Sequence, residues 1–190
     1  MTTASAPPRW APSGALLAVC LCLTACTPWA AQPVLEKLDT VSGLTVIALA
    51  KPAQLTTERN RGPDRDPFAF LAPFETDRMG SRELYLWASV PQDKGSVQHM
   101  EILCDDQPLA LRRLEGRPTG VSRSPYPLPA PWSSEWYFSL PDGALQCLAG
   151  ARTVSVVAQL SGEVEDRFHS WPDAVKSLAA FASHHANPLQ

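Results

Sequence analysis

The chain has 190 residues, 16 basic against 19 acidic side chains and a formal net charge of −3. That balance excludes the basic surface of a nucleic-acid-binding domain. Hydrophobic residues make up 45% and prolines number 19, so the chain can bury a core but carries many segments unfit for regular structure.

Residues 15–23 form an uncharged apolar run behind a polar leader whose basic residue is Arg9. The run is too short to span a bilayer, which takes about 20 apolar residues. Its layout is that of a secretory signal, in which Cys20 and Cys22 act as small hydrophobes rather than as zinc ligands. Directly after it stands Leu23-Thr24-Ala25-Cys26. This resembles the lipobox of bacterial lipoproteins, a hydrophobic residue and two small ones before a modified cysteine. The resemblance covers residues 1–26 alone. It implies cleavage after Ala25, a diacylglycerol on the Cys26 thiol and palmitate-type acylation of the new amino terminus. It also implies a membrane partner reached through that anchor. Thr27 in place of Asp implies the outer membrane, with the domain facing the periplasm. The expected organisation is a signal peptide over 1–25, a tether over 26–33, one domain over 34–185 and a tail over 186–190.

With Cys26 assigned to lipid and the signal removed, Cys104 and Cys147 remain. In an oxidising exported compartment such a pair reads as a disulfide, with two buried free thiols as the alternative.

Further along, residues 34–38 and 44–49 are short apolar segments around the Ser42-Gly43 turn signal. Residues 51–67 read as an exposed polar loop, 68–71 as a strand and 76–81 as a turn. Residues 83–90 form a strong strand paired with 97–104, where alternation turns Cys104 inward and His99 outward. Another strand is expected over 109–114. Between 115 and 133 lies a proline-rich loop whose Pro125, Pro127, Pro129 and Pro131 bar it from a central ladder. Strands follow over 136–140, 152–160 and 164–168, with a turn at Pro141-Asp142-Gly143. One helix stands near the end, with Ser170 as N-cap and Trp171, Val175, Leu178, Phe181 and Ala182 on its apolar stripe. It is too short to stand alone and must cover an edge or open end. The expected fold is mainly β, an antiparallel β-sandwich of general immunoglobulin-like architecture with that single C-terminal helix.

Chemistry-bearing patterns are few. No nucleophile elbow, phosphate loop, zinc-protease helix or EF-hand loop occurs. His184 and His185 fall in a polar tail and are assigned no role. Asp166, His169 and Ser170 are close in sequence, but triads converge from separate segments, so Ser170 reads as a cap. Asp105-Asp106 reads as a turn, and Asp64 and Asp66 sit among arginines that oppose a cation. No metal and no cofactor are therefore expected. Trp136 and Phe138 read as core. Tyr126 and Trp132, in the proline-rich loop, are the candidate binding surface for an envelope protein or a glycan. The sequence thus suggests a non-catalytic envelope interaction domain. A glycan- or small-ligand-binding module comes next, then a periplasmic hydrolase. A pocket holding a histidine, a carboxylate and a hydroxyl together would speak for the last.

Overall fold

A computed structural model describes residues 33–57, 68–92, 95–161 and 164–187. The expected signal, Cys26, Asp64, Asp66 and the last three residues lie outside the described residues, as does most of the tether.

Eleven strands join in one curled antiparallel sheet. In chain order they are β1 (Val34–Asp39), β2 (Leu44–Leu49), β3 (Ala53–Thr57), β4 (Phe68–Arg78), β5 (Ser81–Pro91) and β6 (Val97–Cys104). Then come β7 (Gln107–Pro108), β8 (Arg112–Arg113), β9 (Ser133–Ser139), β10 (Val154–Leu160) and β11 (Val164–Ser170). Two helices, α1 (Asp142–Gly150) and α2 (Pro172–Ala186), complete the domain. The pairing links all strands into a single sheet, where a sandwich would divide them into two.

Strand β4 organises the whole. On one side it pairs with β5 from Phe70 to Arg78. On the other, its first half pairs with β3 and its second with β2. Pro73 sits where the neighbour changes. A proline has no N–H for a ladder, and at this fork none is required. From the fork one branch runs β3-β11-β10-β6-β7 and the other is the β1–β2 hairpin. The β4–β5 turn is Met79-Gly80. Both residues have positive φ, 52° and 86°, as a two-residue turn matched to strand twist demands. The Gly80 N–H donates to the Asp77 carboxylate at 2.8 Å.

Helix α2 packs on β3 and β11 of one branch and on β1 and β2 of the other. It buries Ala174, Leu178, Phe181 and Ala182 there. Leu178, Phe181 and Ala182 of the expected stripe lie on this face, whereas Val175 is half-buried and Trp171 is exposed. Ser170 does not cap the helix. It belongs to β11, and its hydroxyl accepts the Val154 N–H at 2.9 Å. Trp171 is the N-cap residue, with Pro172 in the first turn, where its missing donor costs nothing.

Helix α1 corrects a second expectation. Pro141-Asp142-Gly143 is the start of a helix, not a turn. Pro141 has φ −66° and its carbonyl accepts from Ala144 and Leu145. Leu145 and Leu148 are buried, three residues apart on one helical face. Cys147 on this helix meets Cys104 at the end of β6 at disulfide distance, S–S 2.23 Å and Cα–Cα 6.3 Å. A bridge over 43 positions stabilises the fold by roughly 4 kcal/mol in the chain-entropy account.

Candidate functional site

The hairpin β1–β2 and the proline-rich loop together make a groove. The hairpin closes through Asp39, whose carbonyl accepts from Gly43 and whose carboxylate accepts the Val41 N–H. The other oxygen of that carboxylate accepts the Ser122 N–H at 2.8 Å, across 83 residues of sequence. Just before this contact the chain passes tightly over the hairpin at Gly120, φ 85°. A Cβ there would lie 2.8 Å from Leu44 Cδ1, so the crossing requires glycine.

At the far end of the hairpin the loop touches down again. The Tyr126 hydroxyl donates to the Leu49 carbonyl at 3.0 Å, and its ring packs on Trp87 with centroids 5.0 Å apart. Leu49 stands opposite Val34, and Asp39 is the other end of β1. The loop is thus moored near both ends of β1. Between the moorings lies a groove of about 430 Å³, lined by residues 35–41 of the hairpin, by Val46 and Ala48, and by loop residues 122–127. Leu35, Leu38 and Val41 are 51%, 58% and 78% exposed. Among the described residues β1 pairs with β2 alone, so its outer backbone groups form an unpaired edge. Lys37, Asp39 and Arg123 add charge to the lining.

Electrostatics fix the walls. Hydrogen bonds from the Ser122 hydroxyl and then its N–H hold the Asp39 carboxyl down at about 2, with smaller help from the Val41 and Ser42 backbone, against desolvation. Burial pushes the Tyr126 phenol up beyond its ordinary range, so it stays a neutral donor. Burial likewise pushes Tyr137 up to about 12. Its hydroxyl donates to Ser124 in the loop at 3.1 Å.

The two aromatic residues singled out from the sequence part company. Tyr126 is only 5% exposed, whereas Trp132 is 60% exposed. Tyr126 is a fixed wall and offers no free face; its single phenol satisfies a buried carbonyl. Trp132 lies outside the groove lining, and its carbonyl accepts from Gln92. Trp136 and Phe138 are buried and stack at 6.4 Å, with the Arg113 guanidinium 3.5 Å from the Trp136 centroid. His99 is exposed. Asp105 and Asp106 both take positive φ. Asp105 accepts two backbone N–H groups and Asp106 pairs with Arg167 at 3.8 Å, so both are committed to the turn. His169 Nδ1 lies 2.9 Å from the Ser155 hydroxyl, while Ser170 holds Val154.

Leu35, Leu38 and Val41 were not among the residues singled out from the sequence. Their signal is weak but present: apolar residues beside Glu36, Lys37 and Asp39 in a strand too polar for a core. Among the described residues, no group of three His, Cys, Asp or Glu side chains is placed to hold a metal ion. Among the same residues no helix is long and apolar enough to cross a membrane. No family model, no curated protein and no solved structure matches the chain.

Proposed function

We propose that the chain is a lipid-anchored envelope protein, held through Cys26 at the outer membrane and facing the periplasm, whose β domain is a non-catalytic interaction module. Its partner is an envelope protein that lays an extended segment along β1. The observation that carries this reading is the groove itself. Three exposed apolar side chains, Leu35, Leu38 and Val41, line it beside an unpaired strand edge. Strand addition uses such an edge for main-chain hydrogen bonds and such a trough for alternate side chains. The Cys104–Cys147 contact accords with an oxidising exported compartment.

A photo-reactive residue placed at Leu38 tests the partner. It should crosslink a defined envelope protein in cells, while the same probe at the fully exposed Met79 should not. Equal or absent crosslinking at both positions would sink the groove as a docking surface. Cys26→Ser tests the anchor separately. It should leave an unprocessed precursor without lipid, and a mature protein still in the outer-membrane fraction would refute the lipobox reading.

A further inference from the structure

A second site lies on the other side of the hairpin, where α1 and α2 meet the β4–β5 ladder. Glu75 in β4 stands between Leu84 of β5 and Ile47 of β2, and it is 1% exposed. A carboxylate so buried must have both oxygens engaged. The Arg82 Nε–H donates to one oxygen, and His185 Nδ1 lies 2.5 Å from the other. Arg82 can reach because it stands opposite Asp77, which makes Glu75 its diagonal neighbour on the ladder. His185 comes from the last turn of α2. The sequence assigned it no role; here it is tied to the buried core.

The carboxylate fixes the imidazole. With an Nδ1 proton donated to Glu75, Nε2 is the ring nitrogen left to accept. Nε2 lies 3.7 Å from Asp142 Oδ1, at the start of α1. That is too long for a hydrogen bond between them. Both line a polar pocket of about 290 Å³, together with Tyr85, Arg112 and Ser139. Two acceptors at this separation can be bridged by one group carrying several N–H bonds. The same pocket is lined by Arg112, an exposed arginine whose charge acts on the Tyr85 phenol beside it. A guanidinium offers a planar fork to a carboxylate.

We propose that this pocket binds a small zwitterion of the amino-acid class. Its ammonium lies between Asp142 and His185 Nε2, and its carboxylate lies on Arg112. Glu75 is the positioning residue that keeps Nε2 an acceptor. The charged and titratable groups around His185 are Glu75 on β4, Arg82, Glu83 and Tyr85 on β5, Arg112 on β8, Asp142 on α1, and His184 beside Glu36. The pocket does unite a histidine, carboxylates and a hydroxyl, the combination expected of a hydrolase. Among the described residues, however, Ser139 makes no hydrogen bond to His185, so a nucleophile–base contact is lacking and the geometry favours binding.

Calorimetric titration of the full chain with glycine, methylammonium and acetate tests this. At about pH 8 glycine should bind at least about tenfold tighter than either half-molecule. Asp142→Asn and Arg112→Gln should each weaken glycine about tenfold or more at unchanged melting temperature, because both side chains are exposed. No glycine binding at millimolar concentration overturns the proposal. So does binding indifferent to both substitutions. Hydrolysis of p-nitrophenyl acetate that vanishes in Ser139→Ala overturns it in favour of an enzyme.

Discussion

Helix α2 and loop residues 122–127 both lean on the β1–β2 hairpin, and they cover it to very different degrees. The helix satisfies its own backbone, so it can press an apolar face into the fork without stranding polar groups. It brings Leu178 and Phe181 to almost complete burial and ties its end to Glu75. The loop has no internal ladder. It could close the gap only by pairing with β1, and Pro125 and Pro127 remove the donors that pairing needs. It is therefore moored through Asp39 and Leu49, and the space between stays open. The proline at every second position, which bars the segment from the sheet, is what preserves a groove beside it.

The largest effect is expected on the helical side. Glu75→Ala leaves Arg82 and His185 facing an emptied buried site, which should cost about 3–5 kcal/mol, as for one partner removed from a buried pair. Urea unfolding reads this directly. Replacing Glu75, Arg82 and His185 together by apolar residues of similar volume should recover most of the loss, because no charge is then stranded. If Glu75→Ala unfolds at the wild-type urea concentration, the helix is held by its apolar face alone and the contrast with the loop disappears.

On the loop side one of the two moorings is a single hydroxyl. Tyr126→Phe keeps the ring against Trp87 and removes the donor to Leu49. A buried carbonyl left unpaired costs roughly 1–3 kcal/mol. Trp132→Ala, at an exposed residue of the same loop, should stay within about 0.5 kcal/mol. Equal costs for the two substitutions would mean that Tyr126 is no mooring at all.

This contrast also shows what a sequence can disclose. Apolar runs between turn signals exposed β5, β9 and β10, and alternation exposed β6. The Cys104–Cys147 pairing followed from arithmetic and compartment. Branching did not show. Strand β4 continues past Pro73 and Glu75 into Thr76 and Asp77, residues that read as a turn because nothing local says that a distant arginine and histidine will pair with the glutamate. Helix α1 was hidden for a similar reason. Pro-Asp-Gly favours a turn, and only Leu145, Leu148 and the docked Cys147 make a helix the better outcome. The expected strand over 109–114 shrank to Arg112–Arg113, since it pairs only at an edge. Tyr126 was legible as important but not as buried. Its phenol needed the Leu49 carbonyl, 77 positions away, and no periodicity reports such a meeting. The candidate site was thus half visible: the loop was found, but Leu35, Leu38 and Val41 opposite it were not.

The smallest effect concerns the other mooring. Asp39 is held at about 2 in the folded chain by the Ser122 hydroxyl first and the Ser122 N–H next. An unfolded aspartate titrates near 3.9. A carboxyl lowered by folding adds stability that is full above the unfolded value and is lost as pH falls through the folded one. The window is therefore roughly pH 4 to pH 2. Asp39→Asn removes the charge and with it this dependence. Amide exchange at Ser122 in wild type should be slower than in Asp39→Asn above about pH 5, and the gap should shrink between about pH 4 and pH 2. The Leu49 end should not respond, because the Tyr126 phenol carries no charge anywhere in that range. No gap above about pH 5 would show that the asparagine amide serves the loop as well as the carboxylate. The charge at Asp39 would then contribute nothing to holding the groove open.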